Sequence, residues 1–187
     1  IKKMANQGEG IFWGDASSDP KRGYRFFLYI GGIPVWVVKT VTKPSVEINT
    51  IEHTYLNHTF KFPGRVVWNG EITATLADPL APDLAKTLLD TVRASGYQYP
   101  DQPNSIVTTS KAKALAAIGG AVTIAQIDSE GRAVEEWSLK NAWISNVSFG
   151  DTLDYTSDEA TELSVTIKYD WAEMSVFGEP VAGMGGN

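Results

Sequence analysis

The sequence predicts a mainly β domain with one main helix. Alternating apolar and polar residues recur along most of the chain, breaks rich in Gly, Pro and Asn separate them, and the one convincing helical period lies between Asp83 and Ser95. Seven or eight strands are expected.

The first strand signal is Tyr24 to Ile30, rich in aromatic residues and stopped by Gly31-Gly32. Ile33 to Lys39 resumes at once, so the Gly pair with Pro34 reads as a hairpin turn. After Lys43-Pro44-Ser45, Val46 to Ile51 and Thr59 to Phe62 read as a longer hairpin that breaks at Pro63-Gly64. Val66 to Leu76 alternates as one strand, with Val66, Trp68, Ile72, Ala74 and Leu76 on one face and Val67, Asn69, Glu71, Thr73 and Thr75 on the other. The helix follows: Leu84, Leu88, Leu89 and Val92 form a single apolar stripe, and Gly96 stops it. Ser110 to Ile118 suggests a short Ala-rich helix. Ala121–Ile127 and Val134–Ile144 flank the polar turn Asp128-Ser129-Glu130-Gly131, and an acidic loop runs from Asp151 to Glu159. The strongest strand comes last, with Leu163, Val165, Ile167, Tyr169 and Trp171 inward and Glu162, Ser164, Thr166, Lys168 and Asp170 outward. Residues 1–22 and 178–187 lack periodicity. Met4-Ala5-Asn6-Gln7 reads as a translation start, and Ile11-Phe12-Trp13 is an apolar triplet that must dock on its own domain or on another subunit.

Composition narrows the function classes. The chain has 187 residues, 43% of them hydrophobic, which suits one ordered domain. Its formal charge of −6 argues against a basic nucleic-acid binder. The charge is uneven: residues 1–70 hold nine basic and five acidic side chains, and residues 71–187 hold seven and seventeen. Such asymmetry either orients subunits against one another or reflects loop composition alone. With no cysteine, there is no disulfide framework, thiolate metal site or cysteine nucleophile. No apolar run approaches the roughly 18 residues of a spanning helix.

No catalytic, metal or cofactor motif emerges. His53 and His58 lack zinc-ligand spacing and read as polar residues near an exposed turn. Asp151, Asp154, Asp158 and Glu159 lack the alternating ligands and central Gly of a calcium loop. Glu71, Glu162 and Asp170 fall on polar strand faces, a pattern any β protein offers a search for glycosidase carboxylates. The six Trp raise a sugar-binding platform, but Trp68, Trp137, Trp143 and Trp171 share parity with core residues; Trp36 is open. A β domain without a catalytic constellation points to a binding or structural protein.

The order of segments carries a resemblance. Arg25 to Trp36, then Lys39-Thr40-Val41-Thr42-Lys43-Pro44-Ser45, the long hairpin Val46 to Pro63, the strand Trp68 to Asp78 with a helix after it, and Glu136 to Ile144 followed by Leu163 to Trp171 together resemble the tail tube proteins of contractile-tailed bacteriophages. The resemblance covers Tyr24 to Glu173 and divides the chain into an N-terminal arm (1–23), a tube domain (24–174) and a C-terminal tail (175–187).

It implies an antiparallel β-sandwich or partial barrel with a flanking helix. It also implies a structural virion protein without enzymatic activity or cofactor, whose hexameric rings stack into a hollow tube inside a contractile sheath. The implied partners are further copies of the chain, the sheath protein, and baseplate and tail-terminator proteins at the tube ends. The implied location is the phage tail, after assembly in the host cytoplasm. DNA would pass through the lumen without sticking. In that frame Ile11, Phe12, Trp13, Thr54, Tyr55, Leu56, Asn57 and His58 are candidate inter-subunit contacts. Glu71, Thr73, Thr75, Glu162, Ser164, Thr166 and Lys168 are candidate lumen-facing residues, whose acidic character would repel phosphates. The tube of a bacterial contractile injection system, of the type VI or tailocin kind, is the alternative of the same class, and a carbohydrate-binding β-sandwich is the alternative of another.

Overall fold

A computed structural model describes residues 19–101, 106–150 and 152–176. Ten strands and two α-helices follow in the order β1 (Phe26–Tyr29), β2 (Val38–Val41), β3 (Val46–Tyr55), β4 (His58–Trp68), β5 (Glu71–Ala77), α1 (Leu84–Ala94), α2 (Lys111–Ala117), β6 (Ala121–Ile127), β7 (Ala133–Lys140), β8 (Trp143–Ser148), β9 (Glu162–Lys168) and β10 (Trp171–Ser175). They build two four-stranded antiparallel sheets, β1-β6-β7-β10 and β2-β5-β9-β8, and a separate two-stranded ribbon, β3-β4. The architecture is a β-sandwich with flanking helices.

Alternation decides which side chains meet between the sheets. Ile72, Ala74 and Leu76 of β5 stand opposite Ile167, Val165 and Leu163 of β9, and all six are buried. Leu28, Val122, Ile124 and Leu139 supply the facing layer from the first sheet. Helix α1 seals the core with Leu84 and Leu88, while Leu89 and Val92 of the expected stripe stay half-exposed. Its start is set by Asp83, whose carboxylate accepts from the Lys86 amide at 2.9 Å.

Several sequence expectations need correction. Gly31-Gly32 does not turn a hairpin. A single bridge joins Ile30 to Ile33, a 3-10 turn over Val35–Val37 follows, and β2 enters the other sheet. The long hairpin does not break at Pro63-Gly64: β4 runs through both residues to Trp68, absorbing a register shift between Ile48 and Thr50. Val66 to Leu76 is two strands, because Asn69-Gly70 kinks the chain with Gly70 at φ +71°. Val66 therefore lies exposed on the ribbon and not in the core. Trp171 is 43% exposed and belongs to β10, since the chain changes sheets at Tyr169–Asp170 and the inward position passes to Ala172. Likewise Asn141, at φ +54°, ends β7 before Trp143 starts β8 in the other sheet.

Candidate functional site

The ribbon β3-β4 has ten and eleven residues, and every residue of β3 is exposed. Beyond the register shift the pairs are Ile51 with Phe62, Glu52 with Lys61, His53 with Phe60, Thr54 with Thr59, and Tyr55 with His58. Alternation sorts them into two unlike faces. One holds Ile51, Phe62, His53, Phe60, Tyr55 and His58. The other holds Glu52 and Lys61, paired at 3.3 Å, and Thr54 and Thr59, whose hydroxyls stand 3.3 Å apart. The apolar face is solvated: Ile51 is 59% exposed, Phe62 53% and Tyr55 64%. At the tip Leu56, 80% exposed, takes a left-handed φ of 52°. A two-stranded ribbon is marginal alone in water, and an uncovered aromatic face marks an interaction surface.

Thus Thr54, Tyr55, Leu56, Asn57 and His58 do sit together at the ribbon tip. Ile11, Phe12 and Trp13 lie outside the described residues. The larger apolar surface, Ile51 with Phe60 and Phe62, escaped the sequence reading. The period-two pattern from Ile51 to Tyr55 carried that signal, but read alone it also fits a strand half-buried in a sandwich.

The second predicted group lies on the outer face of the sheet β2-β5-β9-β8. Glu71 pairs with Lys168, Thr73 with Thr166, and Thr75 with Ser164, so six of the seven residues stand as cross-strand neighbours. The seventh, Glu162, bonds Lys39 of β2. Thr40 of β2 and Asn146 and Ser148 of β8 extend the same rows across all four strands. The result is a surface of hydroxyl and amide groups. Its charges balance: Lys39 answers Glu162, and Lys168 lies 3.8 Å from Glu71. This face is neutral, not the acidic wall expected from the strands read singly, because the neutralising Lys39 comes from a distant segment.

A third cluster was missed. Glu135 of β7 points inward, 8% exposed, on the same parity as Trp137 and Leu139. It accepts from Lys21, from Lys43 at 2.7 Å and from the Trp137 indole. Lys43 also donates to Gln126 Oε1 at 2.7 Å, and Gln126 Nε2 donates to the Arg22 carbonyl at 3.2 Å. Burial pushes the Glu135 carboxyl up, but the donors and the Lys43 charge outweigh it and hold it at about 2, below its ordinary 4.5.

Asp154 and Asp170 make local contacts. Asp154 accepts from the amide and hydroxyl of Thr156, closing a local turn, and those bonds hold its carboxyl low. Asp170 is held low by hydrogen bonds from Lys111 and Asn141 and ties α2 to the turn before β10. Among the described residues no three His, Cys, Asp or Glu side chains gather as a metal site. The exposed Trp36 precedes β2, beside β1, whereas Trp171 lies on β10, three strand spacings or about 14 Å from β1. They form no common sugar platform. No described helix is long and apolar enough to cross a membrane.

No protein-family model matches the chain, and no curated protein matches its sequence. Solved structures do match in shape. A chain of the anti-feeding prophage tube-terminating cap superposes with a TM-score of 0.63 at 18% identity, over 93% of this chain and all of that one. A chain of the sheath–tube complex of the extracellular contractile injection system PVC, in its extended state, gives 0.61 at 20% identity, over 87% and 95% of the two chains. The SPP1 tail tube gives 0.50 at 13% identity, over 84% and 80%. The two four-stranded sheets, flanking helices and projecting ribbon of this chain are the tail-tube fold.

Proposed function

We propose that this chain is the repeating subunit of a tail tube, with a structural and not a catalytic role. The observation that carries this reading is the ribbon β3-β4, whose aromatic face the other described residues leave more than half-exposed. Burying Ile51, Phe60, Phe62 and Tyr55 against another copy supplies the partner that a lone ribbon needs. The four sheet edges, β1, β10, β2 and β8, offer further backbone donors and acceptors, and pairing between neighbours in a closed ring satisfies them. Rings of six, stacked axially, are the arrangement implied by the tail-tube resemblance of Arg25–Ser45 and the later segments.

In this reading the neutral hydroxyl-rich face of β2-β5-β9-β8 lines the lumen. A wall without unpaired cations lets a polyanion slide, because phosphate adhesion depends on Lys and Arg releasing counterions. Genome passage in a phage tail is the assignment carried by the resemblance. The injection-system tube is the second reading, favoured by the similarity to the PVC and anti-feeding prophage chains. Sheath, baseplate and terminator proteins are the corresponding partners, and an extracellular or virion tail is the corresponding location.

Electron microscopy of the purified protein tests this proposal. Rings or hollow rods are expected, with the hydroxyl face lining the bore. A monodisperse monomer at high concentration overturns the tube reading, and a bore lined by another face overturns the lumen assignment.

A further inference from the structure

The ribbon leaves the sandwich between Ser45 and Asn69, and two separate sets of bonds hold its base. On the side of the sheet β2-β5-β9-β8, the Asn69 amide donates to the Ser45 carbonyl at 2.9 Å. Tyr169 donates its hydroxyl to Asn69 Oδ1, and Trp68 packs edge-on against the Tyr169 ring. On the side of the other sheet, Lys43 reaches Glu135 and Gln126 of β7 and β6, with the neighbouring Pro44 buried. The same Glu135 takes Lys21, at the root of the N-terminal segment. Lys21 and Lys43 are about half-exposed, whereas the carboxylate they share is buried. A single hinge at Asn69 leaves a ribbon free to swing; a second attachment on the opposite sheet removes that freedom.

We propose that Glu135 is a positioning residue that fixes the direction of the β3-β4 ribbon relative to the sandwich through Lys43. Its role in assembly rests on the tube reading: a ribbon already aimed at its neighbour loses less conformational freedom on docking. Its effect on direction does not rest on that reading and is measurable in one subunit.

The chain has no cysteine, so Asn57→Cys at the ribbon tip and Ser175→Cys on β10 give one pair of nitroxide labels. Pulsed electron–electron resonance then reads the tip-to-sandwich distance in subunits diluted below any assembly threshold, as verified by sedimentation. The parent is expected to give one narrow distance distribution. Glu135→Gln and Lys43→Met are each expected to widen it at least twofold while far-ultraviolet circular dichroism stays unchanged. Lys21→Met is expected to leave it narrow. Should Glu135→Gln fail to fold, Lys43→Met decides, since it keeps the Lys21–Glu135 pair. Unchanged widths in the folded variants overturn the proposal. Sedimentation of the parent at high concentration reports on the tube reading separately: a monomer with a narrow distribution defeats the tube and leaves the positioning role standing.

Discussion

A Cβ placed on Gly64 would stand 2.9 Å from the backbone carbonyl oxygen of Asn49. These two residues lie within the register shift of the ribbon, between the pairs Ile48–Val66 and Thr50–Pro63, and their close approach lets β3 and β4 stay paired through it. Gly64→Ala forces backbone apart, because the atom met first is a main-chain oxygen; the Ile51 side chain stands next, at 3.3 Å. We expect a local cost of about 1–3 kcal/mol, on the scale of overpacked contacts. Amide exchange should speed up over residues 50–63, while the sandwich melts at the parent temperature.

Phe60 and Phe62 project from the apolar face of the ribbon, each about half-exposed. The double variant Phe60→Ser, Phe62→Ser removes rings that a single subunit leaves about half-exposed. Its unfolding free energy should fall by about 1–3 kcal/mol, the share of the two rings that the subunit already covers. Self-association should weaken at least ~100-fold, corresponding to about 3 kcal/mol of interface energy. Sedimentation and urea titration of the same samples separate the two effects.

Glu135 makes stability depend on acid. Its carboxyl is held at about 2 against an ordinary 4.5, so the folded state binds its proton more weakly than the unfolded state. The stabilisation is complete above pH 4.5 and is lost as pH falls toward 2. The upper bound is about 3 kcal/mol, reduced by water around the half-exposed lysines. Urea titrations at pH 6 and pH 3 should show the parent losing more stability than Glu135→Gln, and parallel losses would contradict the assignment.

Leu88 is fully buried where α1 closes the core. Leu88→Ala removes transfer energy and leaves a cavity that the surrounding side chains fill only in part. A loss of about 2–5 kcal/mol is expected, read from the shift in urea midpoint at unchanged slope.

Legibility in the sequence followed the range of the interactions. The polar rows Glu71-Thr73-Thr75 and Ser164-Thr166-Lys168 were readable because alternation places every second side chain on one face whatever the partner strand is. The positions Leu84 and Leu88 were readable for the same reason, at helical spacing. Parity failed wherever the chain changed sheets. At Asn69-Gly70, at Asn141 and at Tyr169–Asp170 the backbone turns out of one sheet, the count restarts, and Val66 and Trp171 end up on solvent.

By itself, then, the sequence determined the β class, the main helix, the inward residues of β5 and β9 and the position of the ribbon tip. These depend on contacts within a few residues. Only the tertiary structure decided that β1 and β2 part into different sheets, that Lys39 neutralises Glu162 across 123 positions, and that Lys21 and Lys43 converge on Glu135. A buried carboxylate is stable only where cations meet it, and those cations come from segments that the folded chain alone brings together.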